Sequence, residues 1–385
     1  MNPFIIAGKI PPSCFCDRKE ERESIIRGVN NGNNIVMVAS RRIGKTGLIN
    51  FCFEDERIKN RFTTIFIDIL HTTSLQEFVY EFGRRVFDSL STKGGKMIKL
   101  LIATLKSINA SFGIDPSGKV TLNLRLGEVV SPEYTLEEIF KCLELAETPC
   151  LVAIDEFQQI TAYQNKGTEA LLRSFIQRTE KTRFIFSGSQ RHIMNDMFCA
   201  SSRPFYMSAE MMNVAPIAPK IYADFVVEKF MIYGKHIEEE TVNAAYQLFE
   251  GNTYCNQRLF HEAFIETEET CTPTILLDTF LTILQAANHQ YSELLTRLTE
   301  QQKEVLYAIA EEGKVQSITS GKFIRKHHLR SASSVQAALR KLLEHDMVTH
   351  LDNLYFLSDK MMELWIRNKN GDNTLIHAFT PIATM

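Results

Sequence analysis

The chain has 385 residues, 44% of them apolar and 23% charged, with a net charge of −3. That length suits two or three domains with a substantial core. The mild acidity excludes a general attraction to nucleic acid or acidic membrane, so any such binding needs a local patch. No apolar run approaches the roughly 18–20 residues of a membrane span, and Met1–Lys9 lacks the charge order and apolar length of a signal peptide. Eight scattered cysteines with no Cys-x-x-Cys pair predict small buried thiols in a reducing, cytoplasmic compartment.

The first predicted helix follows Pro11-Pro12. Asp17 is a candidate N-cap, with Glu20 three residues on completing a capping-box pattern, and the helix ends near Gly28, before the turn-rich Asn30–Asn34. A nucleotide-base contact and a plain charged amphipathic face both fit this helix. The apolar run Ile35–Val38 then leads into Ala39-Ser40-Arg41-Arg42-Ile43-Gly44-Lys45-Thr46, and a helical segment starts at Gly47. Strand, tight loop ending in Gly-Lys-Thr, then helix is the context of a phosphate-binding P-loop. Backbone N–H groups of such a loop and the helix dipole converge on an anion. Lys45 is placed for the β- and γ-phosphates and the Thr46 hydroxyl for Mg²⁺. The full pattern opens with Gly, where this chain has Ala39. A methyl group there is tolerated only if φ is negative.

Thr63–Leu70 is a predicted buried strand, followed by helices over Ser74–Leu90 and Lys96–Ile108. Alternation around Asp115-Pro116-Ser117-Gly118 predicts a β-hairpin insertion near 110–126, ahead of a helix over Tyr134–Ala146. Next comes Cys150-Leu151-Val152-Ala153-Ile154-Asp155-Glu156, an apolar run ending in two carboxylates, as in a central parallel strand whose C-terminal edge meets a ligand. Asp155 is placed to hold the Mg²⁺ shell and Glu156 to polarise a water for attack on the γ-phosphorus. After a helix over Thr168–Glu180, the strand Thr182–Gln190 brings Ser187 or Ser189 beside these carboxylates as a sensor of the γ-phosphate or the water. Arg203, just after a helix and before a strand, is a candidate for neutralising phosphate charge, in cis or from a neighbouring subunit, or for an interdomain contact.

Lys220 to about Gln290 is helical in pattern, with a Gly-centred break at Phe249–Gln257, and fits a small lid. The last third predicts helices from Leu298-Thr299, over Ser320–His327 and over Val335–His345, then a hairpin of Met347–Leu351 and Leu354–Leu357. Three helices and a hairpin make a winged helix-turn-helix. From Arg297 to Lys369 there are 12 Lys and Arg against nine Asp and Glu, a local excess of three. Lys322, Arg325, Lys326, Arg330, Arg340 and Lys341 cluster where a DNA reader would place phosphate contacts, and equally where a solvated face would carry charge.

These motifs together resemble the AAA+-related STAND ATPases, in the branch of prokaryotic archaeal-type ATPases. Phe15–Glu21 is similar to the family's opening motif, Arg41–Thr46 to its Arg-Arg-x-Gly-Lys-Thr loop, Ile154–Phe157 to its Walker B strand and Ser187-Gly188-Ser189 to its sensor strand. Leu298-Thr299 with Gln302 and Val305-Leu306 resembles the start of its winged helix. The resemblance implies an α/β P-loop NTPase with an AAA+-like parallel sheet, a helical lid and a C-terminal winged helix-turn-helix. The implied domains are an ATPase core over 1–218, a lid over 219–292, the winged helix over 293–370 and a tail over 371–385. It implies ATP and Mg²⁺ as cofactors, ADP as product, and slow or partner-stimulated hydrolysis. Nucleotide contacts would come from Phe15, Arg18 and the loop Ala39–Gly47, metal contacts from Thr46 and Asp155, and catalytic roles from Lys45, Glu156, Ser189 and Arg203. Gly251-Asn252-Thr253 stands where the family's lid carries Gly-x-Pro. Three readings stay open: an ATPase switch, a DNA-binding regulator with a structural nucleotide site, and a scaffold that oligomerises with nucleotide and recruits a protein.

Overall fold

The computed structural model describes residues 2–107, 111–114, 120–123, 126–165, 167–372 and 378–379. Two compact units form, Arg18–Ala215 and a second that joins Met1–Asp17 to Pro216–Met385. The expected core began at residue 1; the compact unit that holds the sheet begins at Arg18. Phe4 is fully buried among Phe225, Phe230, Phe260 and Phe264, with ring centroids 5.7–6.1 Å away. The Asn2 side chain donates to the His261 carbonyl (2.8 Å), and Phe4 O lies 2.6 Å from His261 Nδ1. Burying one such ring contributes about 1.5–3 kcal/mol, enough to hold a short terminal segment.

In the Arg18–Ala215 unit the strands are β1 (Ile35–Val38), β2 (Thr63–Asp68), β3 (Ser111–Ile114), β4 (Val120–Asn123), β5 (Cys150–Asp155), β6 (Arg183–Gly188) and β7 (Glu210–Asn213). Five of them form one parallel sheet in the order β2-β5-β6-β1-β7. The all-apolar β1 and the β5 run are buried throughout because helices cover both faces of such a sheet. Register aligns Asp68 with Asp155 and Val38 with Gly188, so loops after β1, β5 and β6 leave the same C-terminal edge. The antiparallel β3–β4 pair matches the predicted insertion, while the turn at 115–118 lies outside the described residues.

Helices follow the apolar spacing with small shifts. The predicted Ser74 start holds, its hydroxyl accepting from Glu77 N (3.3 Å) ahead of Leu75–Ser91. The next helix is shorter than expected, Gly95–Thr104. The first helix spans Lys19–Asn30, beyond Gly28, and Asp17 does not cap it. Asp17 and Arg18 both take left-handed backbone (φ 55° and 65°), which turns the Asp17 side chain out of capping geometry. The Asn30–Asn34 turn ties the sheet together: Asn34 Oδ1 accepts from Phe184 N (2.9 Å) and Asn34 O from Glu210 N (2.8 Å).

The second unit contains helices Pro219–Ile232, Glu239–Leu248, Thr253–Glu266, Pro273–Ala286 and Asn288–Thr296, then the winged helix. The latter has helices Glu300–Glu312, Gly321–Lys326 and Ala332–Glu344 and the hairpin Val348–Leu351/Leu354–Leu357. Val315 bridges Tyr355, adding a third strand-like segment to the wing. Thr299 and Gln302 form a full capping box, and Ser320 and Ser331 cap the next two helices. A further helix, Lys360–Lys369, was not predicted. Among the described residues, no helix is long and apolar enough to cross a membrane, and the eight cysteines form no disulfide.

Candidate nucleotide-binding site

The loop after β1 turns into the helix Lys45–Phe53 through Gly44, whose φ of 97° favours glycine. Arg42 (φ 65°) takes the other left-handed position, and Ala39 is not among the positive-φ residues. The departure from the full P-loop pattern therefore carries no backbone strain. Ala39 is buried, and its N–H donates to Gly188 O (3.4 Å).

Lys45 is 5% exposed, and its ammonium donates to the loop carbonyls of Ala39 (3.3 Å) and Ser40 (3.4 Å). Burial pushes its pKa below the usual lysine value, against the opposing pull of Glu156 and Asp155. The Thr46 hydroxyl donates to Asp155 Oδ2 (2.6 Å), joining the loop to β5 across 109 residues of sequence. Asp155 is buried, and its other oxygen accepts from Glu156 N (3.1 Å).

Glu156 turns the chain with φ 55° into the 3₁₀ segment Phe157–Ala162. Its Oε2 accepts from the Ser189 hydroxyl (2.7 Å), Ser189 N (3.3 Å) and Gln158 Nε2 (2.6 Å). Of the two candidate sensors, Ser189 touches Glu156, while Ser187 is buried within β6. Asp68, not singled out from the sequence, ends β2 in register with Asp155. Burial and the neighbouring Asp155 and Glu156 raise its pKa, despite a hydrogen bond from Leu70 N. The sequence signal for Asp68 is a lone carboxylate inside the apolar run Ile65–Leu70, weaker than the Asp155-Glu156 pair that ends its run.

Arg18 is 5% exposed and holds the loop from below: it donates to Ile43 O (3.3 Å), Ala215 O (2.6 Å) and Glu21 Oε1 (2.7 Å). Phe15 lies in the other unit, where its N–H closes the turn Pro12–Cys14. Arg203 pairs with Glu169 and, at 3.5 Å, with Asp196, which accounts for it as a link between the helices Thr168–Arg178 and Arg191–Cys199. In the second unit, Asn252 accepts from Cys255 N (3.1 Å) and caps Thr253–Glu266, so Thr253, where the resemblance expects Pro, is the first residue of that helix.

This chain is similar to solved structures along nearly its whole length. The Walker-type ATPase PABY2304 of Pyrococcus abyssi shares 18% identity over 95% of this chain and 99% of its own, with a TM-score of 0.64. The chain has the fold of that protein. The same fold relates it to the Aeropyrum pernix ORC2 protein, solved as ADPNP–ADP complexes (12% identity, 96% of this chain, 98% of that one, TM-score 0.58). The A. pernix ORC1 protein, solved in complex with DNA, is also similar (12% identity, 98% of both chains, TM-score 0.52). A family model described as a probable winged helix domain matches residues 289–368, the region read as winged helix. No curated protein sequence matches the chain.

The donor set suits Mg²⁺. A hydroxyl and a carboxylate are hard oxygen ligands, and Thr46 and Asp155 already meet. No cluster of three or more His, Cys, Asp or Glu able to hold a metal occurs among the described residues. Thr46 and Asp155 would then hold the ion by two protein oxygens, as Mg²⁺ sites that lean on substrate phosphates do.

Within the winged helix, all six cations of the basic cluster are exposed. Lys326 is paired with Glu312 and Lys341 with Glu344, both at 2.6 Å, which leaves Lys322, Arg325, Arg330 and Arg340 with no ion pair among the described residues.

Proposed function

We propose that this protein is a Mg²⁺-dependent ATP hydrolase that works as a nucleotide-controlled switch, with the winged helix as its output module. The observation that carries the reading is the Thr46–Asp155 hydrogen bond beside a buried Lys45, which assembles the two halves of a nucleotide site from distant segments. Lys45 loses hydration in the folded chain, and phosphate oxygens restore the favourable partner that water supplied. Loop N–H groups from Ser40 to Thr46 cradle the phosphates. Bound Mg²⁺ supplies charge neutralisation at the phosphates. Glu156 accepts the proton of the attacking water as its oxygen bonds to the γ-phosphorus and the bond to ADP breaks. Ser189 senses the γ-phosphate, and Arg203 serves the fold or, in the nucleotide-bound form, the phosphate charge.

Steady-state ATPase assays on wild type and Glu156→Gln test this. Turnover in the wild type, lost in Glu156→Gln while nucleotide binding is kept, is the expected result. Absence of turnover in the wild type removes the enzyme reading.

The second reading, a DNA-binding regulator, is favoured by the four exposed cations without ion pairs on the winged helix. Binding to duplex DNA that weakens steeply with salt supports it. Nucleotide-dependent oligomerisation without DNA affinity points instead to a protein-recruiting scaffold.

A further inference from the structure

Gln158 has no assigned role, yet its side chain is only 3% exposed and its amide nitrogen lies 2.6 Å from Glu156 Oε2. Its amide oxygen is buried and accepts no hydrogen bond among the described residues. An orphaned buried acceptor costs stability, so a methionine or leucine would suit this position better if packing alone decided it. The backbone opposite is built to admit it. A Cβ on Gly188 would stand 2.5 Å from that amide oxygen, closer than real contacts allow. Gly188 immediately precedes Ser189, so the two residues that donate to Glu156 come from segments that approach closely at this glycine.

We propose that Gln158 is a positioning residue for Glu156. Together with Ser189 it saturates Oε2, fixes the plane of the carboxylate and leaves Oε1 as the oxygen that meets the attacking water. The inference rests on the reading of Glu156 as the proton acceptor. Of the two side-chain donors, Ser189 also serves as the γ-phosphate sensor in that reading, whereas the amide nitrogen of Gln158 has Glu156 as its partner. A base held off its working geometry loses rate without losing substrate affinity.

The test uses the full chain with Gln158→Met, which keeps length and volume and removes the donor. The expected kcat for ATP falls by roughly 10–100-fold, with KM and ADP affinity unchanged. The melting temperature is not lowered, because the orphaned oxygen is gone too. A merely structural glutamine predicts the reverse: lower melting temperature and a proportionate loss of active protein. Adding Gln158→Met to Glu156→Gln gives no further loss, since the positioned group is already absent. Wild-type or raised kcat in Gln158→Met, a joint loss of kcat and nucleotide affinity, or additive losses in the double variant each overturn the proposal. If the wild type itself turns over no ATP, or Glu156→Gln matches it, the reading of Glu156 fails and the positioning role falls with it. If both of those behave as expected and Gln158→Met is silent, the positioning role alone fails.

Discussion

At the C-terminal edge of the parallel sheet the polar side chains bond to one another, whereas on the winged helix the cations stand apart on exposed helix faces. Thr46 meets Asp155, Lys45 meets its own loop, and Glu156 collects three donors on one oxygen. Their partners lie up to 109 residues away in sequence. Lys322, Arg325, Arg330 and Arg340 have no ion pair among the described residues, and the two remaining cations of the cluster pair with nearby acids. A pre-bonded constellation anchored on the buried Lys45 and Asp155 commits its residues to one geometry and hence to one chemistry. An exposed charge field attracts anything of opposite sign and is weak evidence about which partner it takes.

The largest expected effect lies at the organised edge. Glu156→Gln lowers ATP turnover by roughly 10²–10⁴-fold, the usual contribution of a positioned general base, with nucleotide affinity retained; an ATPase assay paired with calorimetry reads both quantities. Surviving turnover would mean that the carboxylate is no more committed than a surface acid.

Arg18→Met tests how far that organisation extends beneath the loop. It strips donors from two backbone carbonyls and Glu21 in a buried setting, and a loss of roughly 2–3 kcal/mol follows. Chemical denaturation of the full chain should show a lower midpoint; an unchanged midpoint means the loop does not depend on this clamp.

For the winged helix, Arg325→Ala and Arg330→Ala should each reduce the salt slope of duplex-DNA binding by about one, if the exposed cations contact phosphates. Indifference to both would make the basic face solvent-facing charge.

The smallest effect is acid lability. Hydrogen bonds from Arg57 and the nearby Arg22 hold the Asp55 carboxyl well below its usual range, against the opposing effect of burial. A folded pKa below the unfolded one gives stability above the unfolded value, about 3.9, that is lost as pH falls toward the folded value. Thermal melts between pH 5 and pH 2, chosen as roughly bracketing that range, should show a shallower decline for Asp55→Asn than for wild type.

Local signals carried most of what could be read from the sequence. The apolar run Ile35–Val38, the Gly44-Lys45-Thr46 turn and the run ending at Asp155 each announce their own geometry within ten residues. The matched winged-helix region was equally legible from its caps. Features set by distant contacts were not. Phe4 is an ordinary apolar residue until Phe225, Phe230, Phe260 and Phe264 surround it. The edge strand Glu210–Asn213 is mostly exposed and has no apolar alternation to give it away. Asp17 satisfies the capping pattern but sits in left-handed backbone that no pattern reveals. Ala39 and Gln158 were illegible for the same reason, since φ at one and the close approach of Gly188 at the other are set by the fold.

The most direct measurement is calorimetric titration of ATP with Mg²⁺ into wild type and Lys45→Ala. The expected result is a saturable site in the wild type and an affinity at least about 100-fold weaker in the variant, the order for removing a charge-assisted phosphate contact. Equal binding by both proteins, or no binding heat from the wild type, would contradict it.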